Sequence, residues 1–153
     1  MAELKWLNGY AGQGVDGLLA LSGEYREDSL VLAFEEAIGR KAAREGMQSL
    51  SDEERIVLAV EGLEREVNNG GYSQFFVNSS RQFVPLIVDA LLRIGCPITA
   101  QITRNAIEAV AGGEDEERDE ELERCDQLYF EAAEDLAGRL LAFLGANRQA
   151  IRL

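Results

Sequence analysis

The chain has 153 residues, 46% of them hydrophobic, which is the length and composition of one ordinary globular domain. Its formal net charge of −13 argues against nucleic acid and anionic membranes as direct partners, because both are themselves negatively charged. Basic proteins and cations are compatible with this charge. The chain also has no histidine, so it lacks the usual general base and metal ligand. Carboxylate pairs alone can hydrolyse glycosides, but 28 acids make this signal unspecific. We therefore expect no enzyme activity, no metal and no cofactor.

The two cysteines and the N-terminus predict a location. Cys96 and Cys125 are too few for a small disulfide-stapled scaffold, and we expect both to be reduced thiols of the core. The first residues do not resemble a secretory signal, and the longest apolar stretch, around 83–92, is too short to cross a bilayer. The cytoplasm is the expected compartment.

The dominant hydrophobic period is helical, and it predicts an all-α fold, a single compact domain of six or seven helices. Residues 1–27 form a glycine-rich irregular arm with a short helix near 15–21, and residues 28–153 form the helical domain. Ser51 and Glu54 have the spacing of a capping box at the start of one helix. The positions expected to be buried on that helix are Ile56, Val57, Val60, Leu63 and Val67.

The second half of the chain predicts further helices in the same way. A short helical turn covers 72–78, a helix covers 84–94, and Pro97 begins another that ends at Gly112-Gly113. The side chains expected inward on that last helix are Ile98, Ile102, Ala106, Ile107 and Val110. A final helical region places one persistent stripe in the core. Its members are Leu122, Cys125, Tyr129, Ala133, Leu136, Leu140 and Leu144.

The negative charge is concentrated in residues 114–135, the acidic block. It contains twelve acids and two arginines, so it carries −10 of the total −13. A helix over this block would be about 33 Å long, with one net charge per about 3.3 Å, close to the roughly 3.4 Å between phosphates along a DNA strand. The block is either a solvated surface or an anionic docking surface, and its spacing does not match a calcium-binding EF-hand. The residues most expected to contact a partner are Glu116, Glu117, Asp119, Glu120 and Glu123.

Residues 66–80, the Asn-Gly-Gly motif, form the most distinctive stretch: Glu-Val-Asn-Asn-Gly-Gly-Tyr-Ser-Gln-Phe-Phe-Val-Asn-Ser-Ser. One interpretation is structural: glycines reverse the chain, aromatic rings fill the core, and asparagines satisfy backbone groups. The alternative is a small-ligand site in this loop, for which a lining pocket is expected. Its candidate residues are Asn69, Tyr72, Gln74 and Asn78.

The Asn-Gly-Gly motif resembles the signature of a bacterial family, the DMP-like DNA-mimic proteins. The Leu-Ser-x-x-Glu-Arg start at 50–55 and the 122–130 region also resemble that family, and the likeness covers about 28–148. The resemblance implies an all-α fold and a homodimer. For the characterised members it implies an acidic surface that occupies the DNA-binding face of a transcription factor.

Three functional hypotheses follow. The favoured one is a non-catalytic acidic protein that binds a basic, DNA-binding protein, with binding that weakens steeply in salt. The second is an immunity-type or scaffold protein that recognises one partner by shape and tolerates salt. The third is a small-ligand binder at the Asn-Gly-Gly motif.

Overall fold

A computed structural model describes residues 3–112 and 115–153, and it confirms the all-α fold. This part of the chain contains eight α-helices, three short 3₁₀ turns and, in place of strands, isolated β-bridges. None of the described helices is both long and apolar enough to cross a membrane. The α-helices, in chain order, are α1 (Val15–Leu19), α2 (Glu27–Glu45), α3 (Asp52–Gly70), α4 (Tyr72–Val77), α5 (Val84–Arg93), α6 (Pro97–Gly112), α7 (Asp115–Glu131) and α8 (Leu136–Ala146).

The domain contains two compact units, and the division falls within α3. The first unit comprises the described residues up to 61 together with 136–153, and the second comprises 62–135 without 113 and 114. In the first unit the N-terminal arm lies along α2 and is hydrogen-bonded to it. The Leu7 amide donates to Ser29 Oγ at 3.1 Å, and the Tyr10 amide donates to Glu36 Oε2 at 2.8 Å. The predicted boundary at residue 28 stays a prediction.

The predicted capping box at the start of α3 is confirmed. The Ser51 amide donates to Glu54 Oε1 at 2.8 Å, and the Glu54 amide donates to Ser51 Oγ at 3.1 Å. Glu54 also forms a buried ion pair with Lys41, and its Oε2 accepts the Arg152 amide at 2.9 Å. All five predicted core residues of α3, from Ile56 to Val67, are buried. The hydrophobic stripe therefore identified the inward face of α3 correctly.

The predicted inward face of α6 was only partly right. Ile102 and Ala106 are buried, but Ile98 is 53% exposed and Val110 is 37% exposed. The buried positions instead include two threonines, Thr99 and Thr103, whose hydroxyls have partners inside the second unit. Because those hydroxyls are hydrogen-bonded, burying the two threonines leaves no polar group unsatisfied. The buried face of α6 is therefore rotated relative to the predicted one.

The predicted C-terminal stripe runs over two helices. α7 ends at Glu131, residues 132–135 are not helical, and Ala133 is exposed, so its predicted burial was wrong. The physical reason is a second helix cap. Glu134 accepts the Ile98 amide at 3.0 Å and the Thr99 amide at 2.7 Å at the beginning of α6. Of the predicted helix end at Gly112-Gly113, Gly112 is the last residue of α6, whereas Gly113 and the first acid of the acidic block, Glu114, lie outside the described residues.

Candidate protein-binding site

The described part of the acidic block is α7 and the segment that follows it. α7 carries nine acids and two arginines, a net charge of −7 over 17 residues. At the α-helical rise of 1.5 Å per residue this is one net charge per about 3.6 Å of axis, close to the density expected from the sequence. Its first turn holds three acids, Asp115 among them, where the helix dipole favours negative charge.

The five predicted partner-binding acids are all exposed on α7. Glu116, Glu120 and Glu123 follow one another at steps of four and three, so they share one face of the helix. That face lies roughly opposite the buried side chains of α7, Leu122 and Cys125 among them, at 100° per residue. Glu117 and Asp119 lie on either side of this stripe.

The two arginines of α7 neutralise only part of its charge. Arg118 lies 3.3 Å from Asp115 and 3.4 Å from Asp119, and Arg124 pairs with Glu121. Such exposed pairs contribute at most about 1 kcal/mol each. Glu116, Glu117, Glu120 and Glu123 make no ion pair with any residue that the structure describes.

The Asn-Gly-Gly motif contacts the second half of α7 directly. Gly71 has φ of +83°, a left-handed conformation that glycine adopts without strain. A Cβ added there would lie 2.2 Å from Asp126 Oδ2, far inside van der Waals contact. Asp126 Oδ1 in turn accepts the Tyr72 amide at 2.7 Å. The carboxylate therefore caps the beginning of α4 across the surface of a glycine.

Tyr72 lies at the centre of the second unit and is fully buried. Its hydroxyl is 2.8 Å from Thr103 Oγ1 on α6, and its ring meets Tyr129 of α7 edge-on at 5.8 Å between centroids. Burial is the main cause that raises the pKa of the Tyr72 phenol above its ordinary value. One residue of the motif thus connects α4, α6 and α7.

Two further carboxylates in this region have raised pKa values. Burial raises the pKa of Glu64, against the opposing effect of the hydrogen bond that Tyr129 donates to it. Burial also raises the pKa of Asp126, and the Tyr72 amide opposes this while Glu123 adds to it.

The thiol of Cys125 is buried as predicted, and so is that of Cys96; neither forms a disulfide bond. Burial and the carboxylates of Glu121 and Asp126 raise the pKa of Cys125 to about 11. This thiol therefore stays protonated at neutral pH, as expected for a residue of the core.

The residues of the alternative ligand site have separate surroundings. Tyr72 is in the core, Asn69 is exposed, the Gln74 side chain lies over Gly70, and the side-chain NH₂ of Asn78 donates to Glu66. These contacts accord with the structural interpretation of the motif, and the ligand site stays a prediction.

A groove of about 470 Å³ does lie between α6 and α7. Asn105 and Glu108 of α6 line it together with Glu117 and Glu121 of α7, and none of the four residues of the alternative ligand site does. Arg118 also lines the groove, so its walls carry three acids and one base, and they come from α6 and α7, not from the Asn-Gly-Gly motif.

Comparison with known protein families tests the family resemblance that the Asn-Gly-Gly motif indicates. The model of the DMP19-like protein family matches residues 48–147. The chain belongs to the DMP19-like protein family. The matched residues include α3, the Asn-Gly-Gly motif and all of α7, whereas the N-terminal arm and α2 lie outside them. No curated protein and no solved structure matches the chain.

Sequence reasoning missed two residues of this region, Asp126 and Glu134. Both were counted as part of the acidic block, but each one caps another helix. For Asp126 a signal was present: it follows the buried Leu122 by four positions and precedes the buried Tyr129 by three, so it lies toward the inward side of α7. Glu134 gave no comparable signal, because it lies in the segment that was predicted to be helical.

Proposed function

We propose that this chain is a non-catalytic acidic protein whose α7 binds a basic protein partner. The expected partner is a DNA-binding protein whose DNA-binding face α7 would occupy, as a DNA mimic does. The observation that carries the proposal is the exposed stripe formed by Glu116, Glu120 and Glu123 on a well-formed helix. Membership of the DMP19-like family supports the same proposal, because the Asn-Gly-Gly motif of this chain resembles the signature of the DMP-like DNA-mimic proteins.

The physics of the stripe favours a basic partner over a small ligand. The stripe carboxylates are exposed and make no ion pair with a described residue, so a basic surface can approach them without first breaking a salt bridge. Complementary charge of this kind mainly increases the association rate and the selectivity for cationic surfaces. Arginine side chains of the partner fit best, because the guanidinium can form two parallel hydrogen bonds with one carboxylate.

The direct test compares two variants of equal charge in a pull-down from lysate of the native host, at about 0.15 M and about 0.5 M salt. In the stripe variant the five predicted acids become amides. In the control variant five exposed acids outside α7 become amides. The stripe variant changes Glu116, Glu117, Asp119, Glu120 and Glu123, and the control changes Glu3, Glu27, Glu45, Asp52 and Asp89.

We expect wild type and control to retain a DNA-binding protein at the lower salt concentration, and the stripe variant to lose it. Raising the salt should release the protein from both, because screening at about 0.5 M shortens the Debye length to about 4 Å. Capture that is indifferent to salt and to the stripe variant would contradict the proposal and would favour an immunity-type or scaffold protein that recognises shape. Equal losses in the stripe and control variants would show that net charge, not α7, governs binding.

A further inference from the structure

The N-terminal part of α7, residues 115–121, has no buried side chain that would hold it against the rest of the protein. Residues 115–121 are polar on every face, and the acids Glu116 and Glu120 are four apart, a like-charge spacing that destabilises a helix. The buried side chains of α7 are Leu122, Cys125 and Tyr129, all in the remaining part of the helix, residues 122–131. The placement of the acidic stripe therefore depends on what holds that remaining part.

We infer that Asp126, although it belongs to the acidic block, is a positioning residue, whose bond to the Tyr72 amide over Gly71 fixes the partner-binding face of α7. The inference deepens the proposed function and rests on it for the role of that face. It also explains what the Asn-Gly-Gly motif contributes, because the motif provides the surface on which the acidic helix is seated.

The geometry at Gly71 makes this contact specific. The carboxylate approaches the backbone so closely that an added Cβ would be 2.2 Å from Oδ2 and 2.7 Å from Cγ. Only glycine permits that approach, and its φ of +83° directs the Tyr72 amide toward Oδ1 at 2.7 Å. A shift of α7 along its axis or a rotation about it would break the bond and leave a partly buried carboxylate without its donor.

The group that Asp126 binds is itself immobilised. Tyr72 is fully buried, with its hydroxyl on Thr103 and its ring against Tyr129. Asp126 is therefore bonded to a fixed point of the second unit, three residues before Tyr129 on the same helix. Two contacts at that spacing define both the rotation and the height of α7.

Glu123 provides a natural control three positions earlier. Both residues are acids of the same helix, but Glu123 is exposed and has no ion pair with a described residue, whereas Asp126 is half-buried and hydrogen-bonded. The inference assigns them different roles: Glu123 contacts the partner through its charge, and Asp126 acts through an acceptor oxygen that orients the helix.

The experiment compares Asp126→Asn with Asp126→Ala in the full chain. Both variants remove the same charge, but asparagine retains an acceptor oxygen for the Tyr72 amide and alanine does not. Amide hydrogen exchange is measured at Tyr72 and along α7, and binding is measured with an oligoarginine peptide as the cationic probe. Glu123→Gln and Glu123→Ala are measured beside them, at a temperature at which every variant is folded.

We expect the asparagine variant to exchange within about twofold of wild type, and the alanine variant to exchange about tenfold faster at Tyr72 and in α7. The alanine variant should also bind the probe at least about twofold more weakly than the asparagine variant, because a loosely held face binds less well. The two Glu123 variants should not differ from each other in exchange.

Two outcomes overturn the inference. Equal exchange in the two Asp126 variants would show that the acceptor oxygen does not position α7. Wild-type exchange in the asparagine variant, with probe binding reduced equally in both, would make Asp126 a contact charge. If the probe binds the five-amide stripe variant as tightly as wild type, the proposed function fails, and the exchange comparison still decides whether Asp126 positions the helix.

Discussion

Replacing Glu54 by glutamine tests the buried polar cluster of the first unit. Glu54 is only 2% exposed. Its carboxylate accepts three hydrogen bonds, from the Ser51 amide, the Arg152 amide and the Lys41 ammonium. The Lys41 ammonium also donates to the Arg152 carbonyl at 2.6 Å. Glutamine is nearly isosteric, so the substitution removes charge without creating a cavity.

The loss of unfolding free energy follows from the donors that glutamine leaves without an acceptor. Glutamine can still accept one hydrogen bond at Oε1, but its NH₂ group faces two donors, those of Lys41 and Arg152. Breaking a buried ion pair by removing one partner costs about 3–5 kcal/mol, because the other charge stays buried without compensation. Small domains unfold with a free energy of about 5–15 kcal/mol, so Glu54→Gln should remove a large fraction of the stability.

The assay is urea unfolding of four proteins: wild type, Glu54→Gln, Lys41→Met and the double variant. Each single variant should lower the unfolding midpoint with little change in slope, and the double variant should cost clearly less than the sum of the singles. A cost below about 0.5 kcal/mol for Glu54→Gln, or additivity in the cycle, would refute the reasoning, because the pair would then behave like an exposed one.

Three further outcomes follow from the same structure. Gly71→Ala should lower the free energy of unfolding by about 1–3 kcal/mol from backbone strain alone, with an added cost from displacing Asp126, and thermal unfolding measures this; an unchanged melting temperature would contradict the close approach. Tyr72→Phe should cost about 1–3 kcal/mol because Thr103 loses its buried partner, and adding Thr103→Val should recover part of that loss. The pH dependence of stability should contain two opposite contributions. Glu64 and Asp126 have raised pKa values in the folded state, so their destabilisation at neutral pH is relieved as the pH falls through those values. The cluster of the first unit behaves in the opposite sense: burial acts to raise the pKa of its carboxylate, but three hydrogen bonds lower it overall. Its stabilisation is present above the ordinary carboxyl pKa and is lost as the pH falls through the depressed one. Stability should therefore rise on mild acidification and then fall, and a monotonic fall from pH 7 would contradict the raised pKa values.

The elements that the sequence predicted well are those in which local signals agree. In α3 the capping box, the apolar spacing and the glycine end all indicate one helix, and the structure has it from Asp52 to Gly70. The face of α6 was harder, because a hydrophobic period assumes that apolar side chains point inward. Thr99 and Thr103 are buried there because Glu134 and Tyr72 provide hydrogen bonds from distant positions in the chain. No local pattern contains that information.

The acidic block shows why composition alone does not identify a binding surface. Its acids look equivalent in the sequence, but in the structure they divide by their contacts. Asp126 and Glu134 cap helices of the second unit, and Glu121 pairs with Arg124. The acids without such contacts, Glu116 and Glu120 among them, are those for which a partner's cations would be the first ionic contacts.

The different contacts of these acids connect the Asn-Gly-Gly motif to the exposed negative charge of α7. An exposed anionic helix is unstable by its own repulsion, so a protein that displays one must hold it by contacts elsewhere. Here those contacts are the apolar side chains of residues 122–131 of α7 and the bond from Asp126 across Gly71. A side chain at position 71 would displace Asp126 and, with it, the helix that carries the stripe. Gly71 of the Asn-Gly-Gly motif and the carboxylates of α7 are therefore coupled: the glycine permits the contact with Asp126 that holds the helix, and the helix displays the exposed acids.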